Sequence, residues 1–339
     1  MNKILSVIIP TYNMEALLDK CLSSLILESA EKRQLLDVIV VNDGSKDKSS
    51  EIAHKYAGNY PEVFSVIDKE NGNYGSCINA ALPHVKGKYV RILDADDSYD
   101  STNLIEFINI LENITVDMVL SNFVVVDQTG IELSCKKYSI ASNEITDYTV
   151  IPNNERLSMH SVTYRSSIFN EIDYHQTEGV SYTDMEWIFH PLSCVNSVFY
   201  FDKTIYKYFI GREGQTVDSL TMIKRIGHLV KGLWTEIDVL KGIPTNNKAY
   251  ERLEKTVLHR LNFIYVHGLS KYALINLKDF DNELKKKSPD FYDKIGDMNV
   301  RIGFGNNRLY LVKLIRKSPN MFVMNFHPKY LFYRLMSHF

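Results

Sequence analysis

Residues 89–97 are Tyr89-Val90-Arg91-Ile92-Leu93-Asp94-Ala95-Asp96-Asp97, a largely apolar run followed by three aspartates in four positions. The apolar run predicts a buried strand, and the aspartates then stand in the turn at its carboxyl end. Carboxylate oxygens held at a sheet edge are ligands that Mg²⁺ and Mn²⁺ prefer. A solvated acidic turn is the alternative, because such turns commonly follow strands.

The sequence on either side of this stretch alternates between apolar strands and amphipathic helices. The predicted strands are Leu5–Pro10, Asp37–Val41, Val63–Ile67 and Tyr89–Leu93. The predicted helices are Met14–Ile26, Lys48–Tyr56, Cys77–Val85 and Asn103–Leu111. Strands that are apolar throughout and alternate with helices indicate an α/β fold, with a mostly parallel, Rossmann-like sheet and helices on both faces. Such sheets bind ligands at the carboxyl ends of their strands.

After about residue 112 the rhythm changes. Strands are predicted at Met118–Val126, Val198–Phe201 and Ile205–Phe209, with a helix at Met185–Val195. From Val217 the pattern is mainly helical, with helices at Met222–Leu240, Ala249–Tyr265 and Leu277–Lys287. We therefore expect two domains, residues 1–215 and a mainly helical C-terminal region of residues 216–339.

The charge of the chain is unevenly distributed. The formal net charge of the 339 residues is only −2. From Met298 to Phe339, however, the chain carries seven basic residues and no acidic one. Three interpretations stay open for this region: a helical cap packed on the domain of residues 1–215, self-association into a homo-oligomer, and contact with a membrane surface. Nucleic acid is not predicted as a partner.

Targeting signals are not recognised in the sequence. The run Ile4–Pro10 is shorter than a signal peptide, and no apolar stretch approaches the roughly 20 residues of a membrane span. We therefore expect a cytoplasmic protein, with peripheral contact at the inner membrane face as an alternative.

Four motifs in order resemble the family 2 glycosyltransferases, which have the GT-A fold. They are Ser6–Asn13, Val40–Ser45, Asn71-Gly72 and Asp94–Asp97. The resemblance covers about residues 4–215 and is closest to enzymes of bacterial glycan and exopolysaccharide synthesis. It implies an inverting, metal-dependent glycosyltransferase of the hexosyltransferase type. The donor would be a nucleotide sugar, foremost a UDP-sugar, and the acceptor a hydroxyl of a glycan, a lipid-linked or a protein-linked saccharide.

The resemblance also implies a binding site for the donor nucleotide. Pro10 and Thr11 would lie under the nucleotide through their backbone, with the ring of Tyr12 near the uracil. Asp43 would accept a hydrogen bond from the N–H of the base. For both motifs an ordinary turn is the alternative, since Asp, Asn and Gly dominate turns.

Further residues are candidates for the phosphate side of the donor. Backbone amides near Asn71 and Gly72 could approach the nucleotide, because glycine permits a close approach. Lys69 is either a phosphate ligand or a solvated surface lysine. Arg212 resembles the family's arginine over the diphosphate, and its planar donor fork suits phosphate; a surface ion pair is the alternative.

In the acidic turn the resemblance places Asp94 near the ribose and the metal, and makes Asp96 a direct metal ligand. Asp97 either supports these ligands or begins the next helix. The metal would be Mn²⁺ or Mg²⁺, which stabilises the negative charge that develops on the departing nucleoside diphosphate.

The candidate base comes from Thr183-Asp184-Met185-Glu186-Trp187, which resembles the family's Glu-Asp-x-x-Trp/Phe motif. Thr183 replaces the usual Glu, and Asp184 matches the catalytic carboxylate. Two alternatives are that Asp184 caps the helix that follows, and that Glu186 is the base.

Two other functions compete with the enzyme. A non-catalytic nucleotide-sugar-binding or scaffold protein of the same fold is supported only by Thr183 in place of Glu. A sugar nucleotidyltransferase would need a glycine-rich phosphate loop where this chain has Pro10–Asn13. The sequence therefore favours the glycosyltransferase.

Overall fold

A computed structural model describes residues 2–211, 219–270, 272–298, 300–301 and 308–317. The chain divides into two compact units, Met1–Glu213 (unit 1) and Gly214–Phe339 (unit 2). The boundary predicted from the sequence, between residues 215 and 216, lies two residues from this division. The roles assigned to the two domains stay predictions.

Unit 1 alternates strands and helices. Its strands are β1 (Leu5–Thr11), β2 (Leu36–Asn42), β3 (Phe64–Asp68), β4 (Tyr89–Ile92), β5 (Ser98–Tyr99), β6 (Met118–Val126), β7 (Glu132–Lys136), β8 (Ile145–Asp147), β9 (Val162–Arg165) and β10 (Ser197–Phe209). Its helices are α1 (Leu18–Ser23), α2 (Ala30–Arg33), α3 (Ser49–Asn59), α4 (Asn73–Ala81), α5 (Ser101–Asn113), α6 (Ser167–Glu171) and α7 (Asp184–Phe189). The predicted α/β class is confirmed.

Within the described residues, the strands of unit 1 form one ten-stranded sheet whose main path is β3-β2-β1-β4-β9-β6-β10-β5. β1 pairs in parallel with β2 and β4, and β2 pairs in parallel with β3. β9 lies between β4 and β6 and runs antiparallel to both. The first four strands thus form the predicted parallel half of the sheet, and their carboxyl ends meet at one edge.

The burial of the first strands explains why the sequence predicts them. Every residue of β2 is buried, and β1 is buried except at Pro10, which is half-buried. Strands covered on both faces require continuous apolar runs, which is the pattern that the sequence shows. The turn that contains Asp43 comes directly after β2, and the acidic turn 94–97 comes after β4.

Several predicted elements differ from the structure. The helix predicted from Met14 begins only at Leu18, and the chain before it forms a turn in which the Met14 carbonyl accepts hydrogen bonds from the Leu17 and Leu18 N–H groups. The Met14 N–H donates to Ser49 Oγ at 2.7 Å. Conversely, α4 begins at Asn73, four residues before the predicted start at Cys77. It ends at Ala81 and passes into a short 3-10 turn that contains Pro83, which cannot continue an α-helix.

The third difference concerns β10, which the sequence divides into two strands. Asp202 and Lys203 are exposed and interrupt the apolar pattern. The strand nevertheless continues from Ser197 to Phe209, with register shifts against β6 on either side of Thr204. A bulge accommodates the extra residues without ending the strand.

Unit 2 is mainly helical, as predicted. Its elements are α8 (Ser219–Lys224), α9 (Ile226–Lys241), α10 (Tyr250–Gly268), α11 (Leu277–Lys287), α12 (Pro289–Asp297), β11 (Val300–Arg301), β12 (Arg308–Leu309) and α13 (Leu311–Lys317). Among the described residues no helix combines the length and the apolar character needed to cross a membrane.

Basic side chains of the C-terminal region are paired within unit 2. Lys313 Nζ lies 2.7 Å from the carboxylate of Asp297, and Arg316 Nε lies 2.9 Å from that of Asp281. The Arg316 guanidinium also stacks 3.4 Å from the ring centre of Tyr292. These contacts attach α13 to the rest of unit 2, and packing of this region on the domain of residues 1–215 stays a prediction. Residues 318–339 lie outside the described part of the chain, so self-association and membrane contact stay predictions.

Candidate active site

The acidic turn after β4 is fixed by its last aspartate. Asp97 is 2% exposed, and its carboxylate accepts hydrogen bonds from the Phe209 N–H (2.7 Å) and from the Tyr206 hydroxyl. Its own N–H donates to the Asp94 carbonyl at 3.0 Å. Asp97 therefore ties the turn to β10. It does not begin the next helix, since α5 starts at Ser101 and is capped by Asp100.

Asp94, by contrast, is half-buried and points toward other functional candidates. Its Oδ1 accepts a hydrogen bond of 2.9 Å from the hydroxyl of Tyr74, on the first turn of α4. Burial, followed by the negative charges of Asp96 and Asp184, raises the pKa of Asp94 to about 7 even though the hydrogen bond from Tyr74 lowers it. Since Asp184 is 90 residues away in the sequence, this coupling indicates that the fold brings the two predicted motifs together.

The pKa of Tyr208 on β10 also indicates that Asp184 lies near the acidic turn. The pKa of its phenol is raised by burial first and then by four negative charges. These charges are the carboxylates of Asp97, Asp94, Asp96 and Asp184. Carboxylates that crowd one region create a strongly negative potential, which favours a bound cation.

The donor set at this position fits a divalent cation. The side-chain ligand atoms of Asp94, Asp97 and His160 all lie within 4.8 Å of one another. Carboxylate oxygens suit Mn²⁺ and Mg²⁺, and a neutral imidazole can add a nitrogen ligand. Of the predicted pair, Asp94 belongs to this group, whereas Asp96 is half-buried on the same turn and is not one of its members.

His160 was not found by the sequence analysis. It follows no metal-ligand motif, and only the fold brings it beside the acidic turn. Its ring stacks on Tyr208 with centres 4.5 Å apart, and its Nδ1 lies 2.9 Å from Ser158 Oγ. Burial, followed by the positive charges of Arg91 and Arg156, lowers the pKa of His160 to about 3. The imidazole is therefore neutral at physiological pH, as a metal ligand must be.

At the end of β2 the structure brings four predicted residues together. Asp43 is 2% exposed, and its Oδ1 accepts hydrogen bonds from Lys69 Nζ (2.8 Å) and the Gly72 N–H (2.9 Å). Its Oδ2 accepts from the Asn73 N–H at 2.9 Å. The Asn71 side chain donates to the Asp43 carbonyl at 3.0 Å. Asp43 thus organises the loop 69–73 and the start of α4.

Two sequence expectations change at this loop. The Lys69 ammonium donates to Asp43, to the Glu70 carbonyl (2.6 Å) and to Ser76 Oγ (2.8 Å), so its protons are engaged inside the protein. Lys69 is therefore not a solvated surface lysine, and its role as a phosphate ligand stays a prediction. Asp43, with three donors already, has little capacity left for a nucleotide base.

The end of β1 lies beside this loop. Thr11 is 1% exposed, and its carbonyl accepts a 2.8 Å hydrogen bond from the Asp43 N–H. Pro10 precedes it and is half-buried, whereas the Tyr12 ring is 45% exposed. An exposed aromatic ring at the carboxyl edge of a parallel sheet is available for stacking on a flat ligand.

Asp184 is the first residue of α7 and is half-buried. The N-cap position belongs to Thr183, so the alternative that Asp184 caps this helix is wrong. Glu186 is fully buried, and its Oε2 accepts a 2.8 Å hydrogen bond from the Thr177 N–H, which removes it as a candidate base. Arg212, the predicted diphosphate ligand, lies outside the described residues.

One close backbone contact joins α4 to the segment before α7. A Cβ added to Gly75 would lie 2.1 Å from the carbonyl oxygen of Thr177. We therefore expect Gly75→Ala to destabilise unit 1 by about 1–3 kcal/mol, the usual cost of overpacking. Thermal unfolding measures this, with Gly58→Ala as the control because no atom lies within 4 Å of its added Cβ. An unchanged midpoint for Gly75→Ala would contradict the contact.

Comparison with known proteins places this site in a family. Residues 6–172 match the model of glycosyl transferase family 2. An uncharacterised glycosyltransferase of Mycoplasma pneumoniae is 29% identical over 286 residues, which cover 83% of this chain and 84% of that protein.

Solved structures agree in fold. Residues 1–349 of Staphylococcus aureus TarS, in complex with UDP-GlcNAc, superpose with a TM-score of 0.63 at 19% identity, covering 85% of this chain and 80% of that solved chain. A mannosyltransferase of Pyrobaculum calidifontis, in complex with GDP-Man and Mn²⁺, gives a TM-score of 0.53 at 17% identity, covering 87% and 83% of the two chains. The family match identifies residues 6–172 as a glycosyl transferase family 2 domain, and the solved structures, together with the sheet and its acidic turn, show that its fold is GT-A.

Proposed function

We propose that the protein is an inverting, cation-dependent glycosyltransferase that uses a UDP-sugar and transfers its sugar to a hydroxyl of a glycan acceptor, free, lipid-linked or protein-linked. The observation that carries the proposal is the convergence of Asp184 with the acidic turn 94–97 at the carboxyl edge of the sheet, expressed in the pKa of Asp94 and of Tyr208. This edge is where ligands of α/β sheets bind.

The donor is assigned to the edge formed by β1, β2 and α4. The exposed ring of Tyr12 would stack on the base, while the loop 69–73, held in place by hydrogen bonds of its Gly72 and Asn73 amides to Asp43, would line the nucleotide site. Support for a uridine nucleotide comes from TarS, which has been solved with UDP-GlcNAc. The mannosyltransferase with GDP-Man makes a guanosine donor the alternative.

A divalent cation is assigned to this cluster, with Asp94 and Asp96 as the proposed ligands and with Asp97 and His160 as further candidates. When bound, Mn²⁺ or Mg²⁺ would supply positive charge to the diphosphate leaving group. Tyr74 orients Asp94 through its 2.9 Å hydrogen bond, and Asp97 keeps the turn attached to β10. The mannosyltransferase solved with Mn²⁺ supports a cation of this kind.

Asp184 is proposed as the general base. It would remove the proton from the acceptor hydroxyl as the oxygen attacks the anomeric carbon from the face opposite the diphosphate, so that the configuration inverts. General-base assistance of this kind contributes about 10²- to 10⁴-fold in rate. The half-buried position of Asp184 at the start of α7 leaves part of its surface accessible to an acceptor.

Release of UDP from a panel of UDP-sugars, with candidate glycan acceptors and with or without Mn²⁺, tests the proposal. Acceptor-stimulated release that requires Mn²⁺ is the expected result, and the anomeric configuration of the product reports inversion. Tight UDP binding without turnover on any donor would favour the non-catalytic binding protein. If the protein turned over GDP-mannose but no UDP-sugar, a guanosine donor would replace the proposed uridine donor.

The role of Asp43 gives a separate prediction. Asp43→Asn removes the charge that holds Lys69 and weakens the bonds to the loop 69–73. We expect UDP affinity to fall about tenfold or more, since hydrogen bonds to charged groups contribute about 1.5–3 kcal/mol. Titration calorimetry with UDP measures this, with Glu51→Gln, an exposed carboxylate of α3, as the matched control.

The same titration separates two roles of Asp43. If its effect acts through the loop, Lys69→Met should weaken UDP binding to a similar extent, because the loop loses the same anchor. A strong effect of Asp43→Asn with none of Lys69→Met would instead indicate direct contact with the base. Unchanged affinity in both variants would contradict a donor site at this loop.

A further inference from the structure

The segment that leads into α7 is held by one buried glutamine. Gln176 has no exposed surface, and its Nε2 donates to both the carbonyl oxygen (2.9 Å) and the Oγ1 (3.0 Å) of Thr183. Its Oε1 accepts a hydrogen bond of 2.9 Å from the Tyr174 hydroxyl. Both ends of the amide are therefore engaged, which fixes its orientation.

Gln176 is itself attached to α4. Asn79 Oδ1 accepts from the Gln176 N–H at 2.8 Å, and Asn79 Nδ2 donates to the Gln176 carbonyl at 2.9 Å. Two residues of α4 thus meet this segment, Asn79 by hydrogen bonds and Gly75 by close contact with Thr177. These contacts hold Thr183 at a fixed position relative to α4 of unit 1.

Local structure alone would not hold Asp184 in place. Tyr182 has a φ of 67°, a left-handed conformation that a tyrosine adopts only when its surroundings enforce it. α7 has six residues, too few to be stable by itself, and the Thr183 side chain makes no capping bond to it. The Thr183 hydroxyl bonds to Gln176 instead.

We infer that Gln176 is a positioning residue for Asp184. By binding Thr183 at its carbonyl and its hydroxyl, it fixes the residue that precedes Asp184 and maintains the strained turn at Tyr182. Thr183 stands where the resemblance leads one to expect Glu, and its small buried side chain, 1% exposed, matches the amide of Gln176. The inference rests on the proposed role of Asp184 as the base.

A positioning role for Gln176 and a role only in the stability of the fold predict different effects on kcat. Gln176→Leu retains a similar volume but removes all three side-chain hydrogen bonds. We expect kcat to fall about 10- to 100-fold, because small misplacements of reacting groups have effects of this size. The affinity for UDP and the Mn²⁺ concentration for half-maximal activity should stay within about twofold, since Gln176 belongs neither to the loop 69–73 nor to the turn 94–97, to which the donor and the cation are assigned. Gln34→Leu, an exposed glutamine of the same unit, is the matched control.

A second pair of variants tests the contact from the other side. Thr183→Val removes the hydroxyl but retains the shape, and we expect kcat to fall about 3- to 10-fold, in line with the loss of one buried hydrogen bond. Thr183→Ser retains the hydroxyl and should restore most of that loss. This pair keeps the inference testable if Gln176→Leu does not fold, which circular dichroism reports. Equal rates for Thr183→Val, Thr183→Ser and the parent would overturn the inference.

The double variant of Gln176→Leu with Asp184→Asn separates the inference from the function on which it rests. If Gln176 acts through Asp184, its substitution should change kcat little once the base is absent. A further loss of the full 10- to 100-fold would overturn the positioning role. Full activity of Asp184→Asn alone would overturn the proposed base, whereas an inactive Asp184→Asn with a fully active Gln176→Leu would overturn only the inference.

Discussion

Asp184→Asn is expected to lower the rate of sugar transfer at least about 100-fold while the affinity for the donor stays nearly unchanged. Asparagine has the same shape but cannot accept the acceptor's proton. The loss should therefore occur in kcat and kcat/KM equally, as for an interaction made only in the transition state. Single-turnover transfer measures the rate, and titration calorimetry with UDP and Mn²⁺ measures the binding.

The control for this experiment lies elsewhere in unit 1. Glu144→Gln changes an exposed carboxylate, and we expect its transfer rate to stay close to that of the parent. A collapse of donor binding in Asp184→Asn would make Asp184 a ligand or a structural residue. In that case the base would have to be sought among other groups near the acidic turn.

Asp96→Ala is expected to abolish cation-dependent turnover with the fold intact. Asp96 is half-buried at a turn and is not part of the core, so circular dichroism and the unfolding midpoint should change little. A divalent cation contributes several kcal/mol to stabilising a phosphate leaving group, which corresponds to at least about 100-fold in rate. Chelation should lower the parent to the level of the variant, and added Mn²⁺ should restore only the parent.

Variants of two neighbouring residues, His160 and Asp97, test which side chains bind the cation. His160→Phe keeps a ring stacked on Tyr208 and removes the ring nitrogens, so a weaker response to Mn²⁺ would identify the imidazole as a ligand. Asp97→Asn is expected to lower stability as well, because the carboxylate holds Phe209 and Tyr206. Asp238→Ala, at an exposed carboxylate of α9, is the control. Full Mn²⁺-dependent activity in Asp96→Ala would leave Asp94, Asp97 and His160 as the cation site.

The sequence by itself determined the parallel half of the sheet and the positions of its polar turns. β1, β2 and β4 are covered on both faces, so their residues must be apolar whatever their partners are, and a local pattern is sufficient to recognise them. The turn 94–97 could be located from the sequence for the same reason, because it comes directly after the apolar run of β4. Four ordered motifs along these elements also predicted the family that the comparisons confirm.

Tertiary structure alone decided which side chains meet at those turns. β9, with four residues and no distinctive pattern, enters the sheet between β4 and β6, so its place could not be predicted locally. The contacts of His160 with the acidic turn, of Lys69 with Asp43, and of Gln176 with Thr183 depend on register and on packing between elements. A hydrogen-bond donor takes whichever acceptor the fold presents nearby, and no local periodicity records that choice.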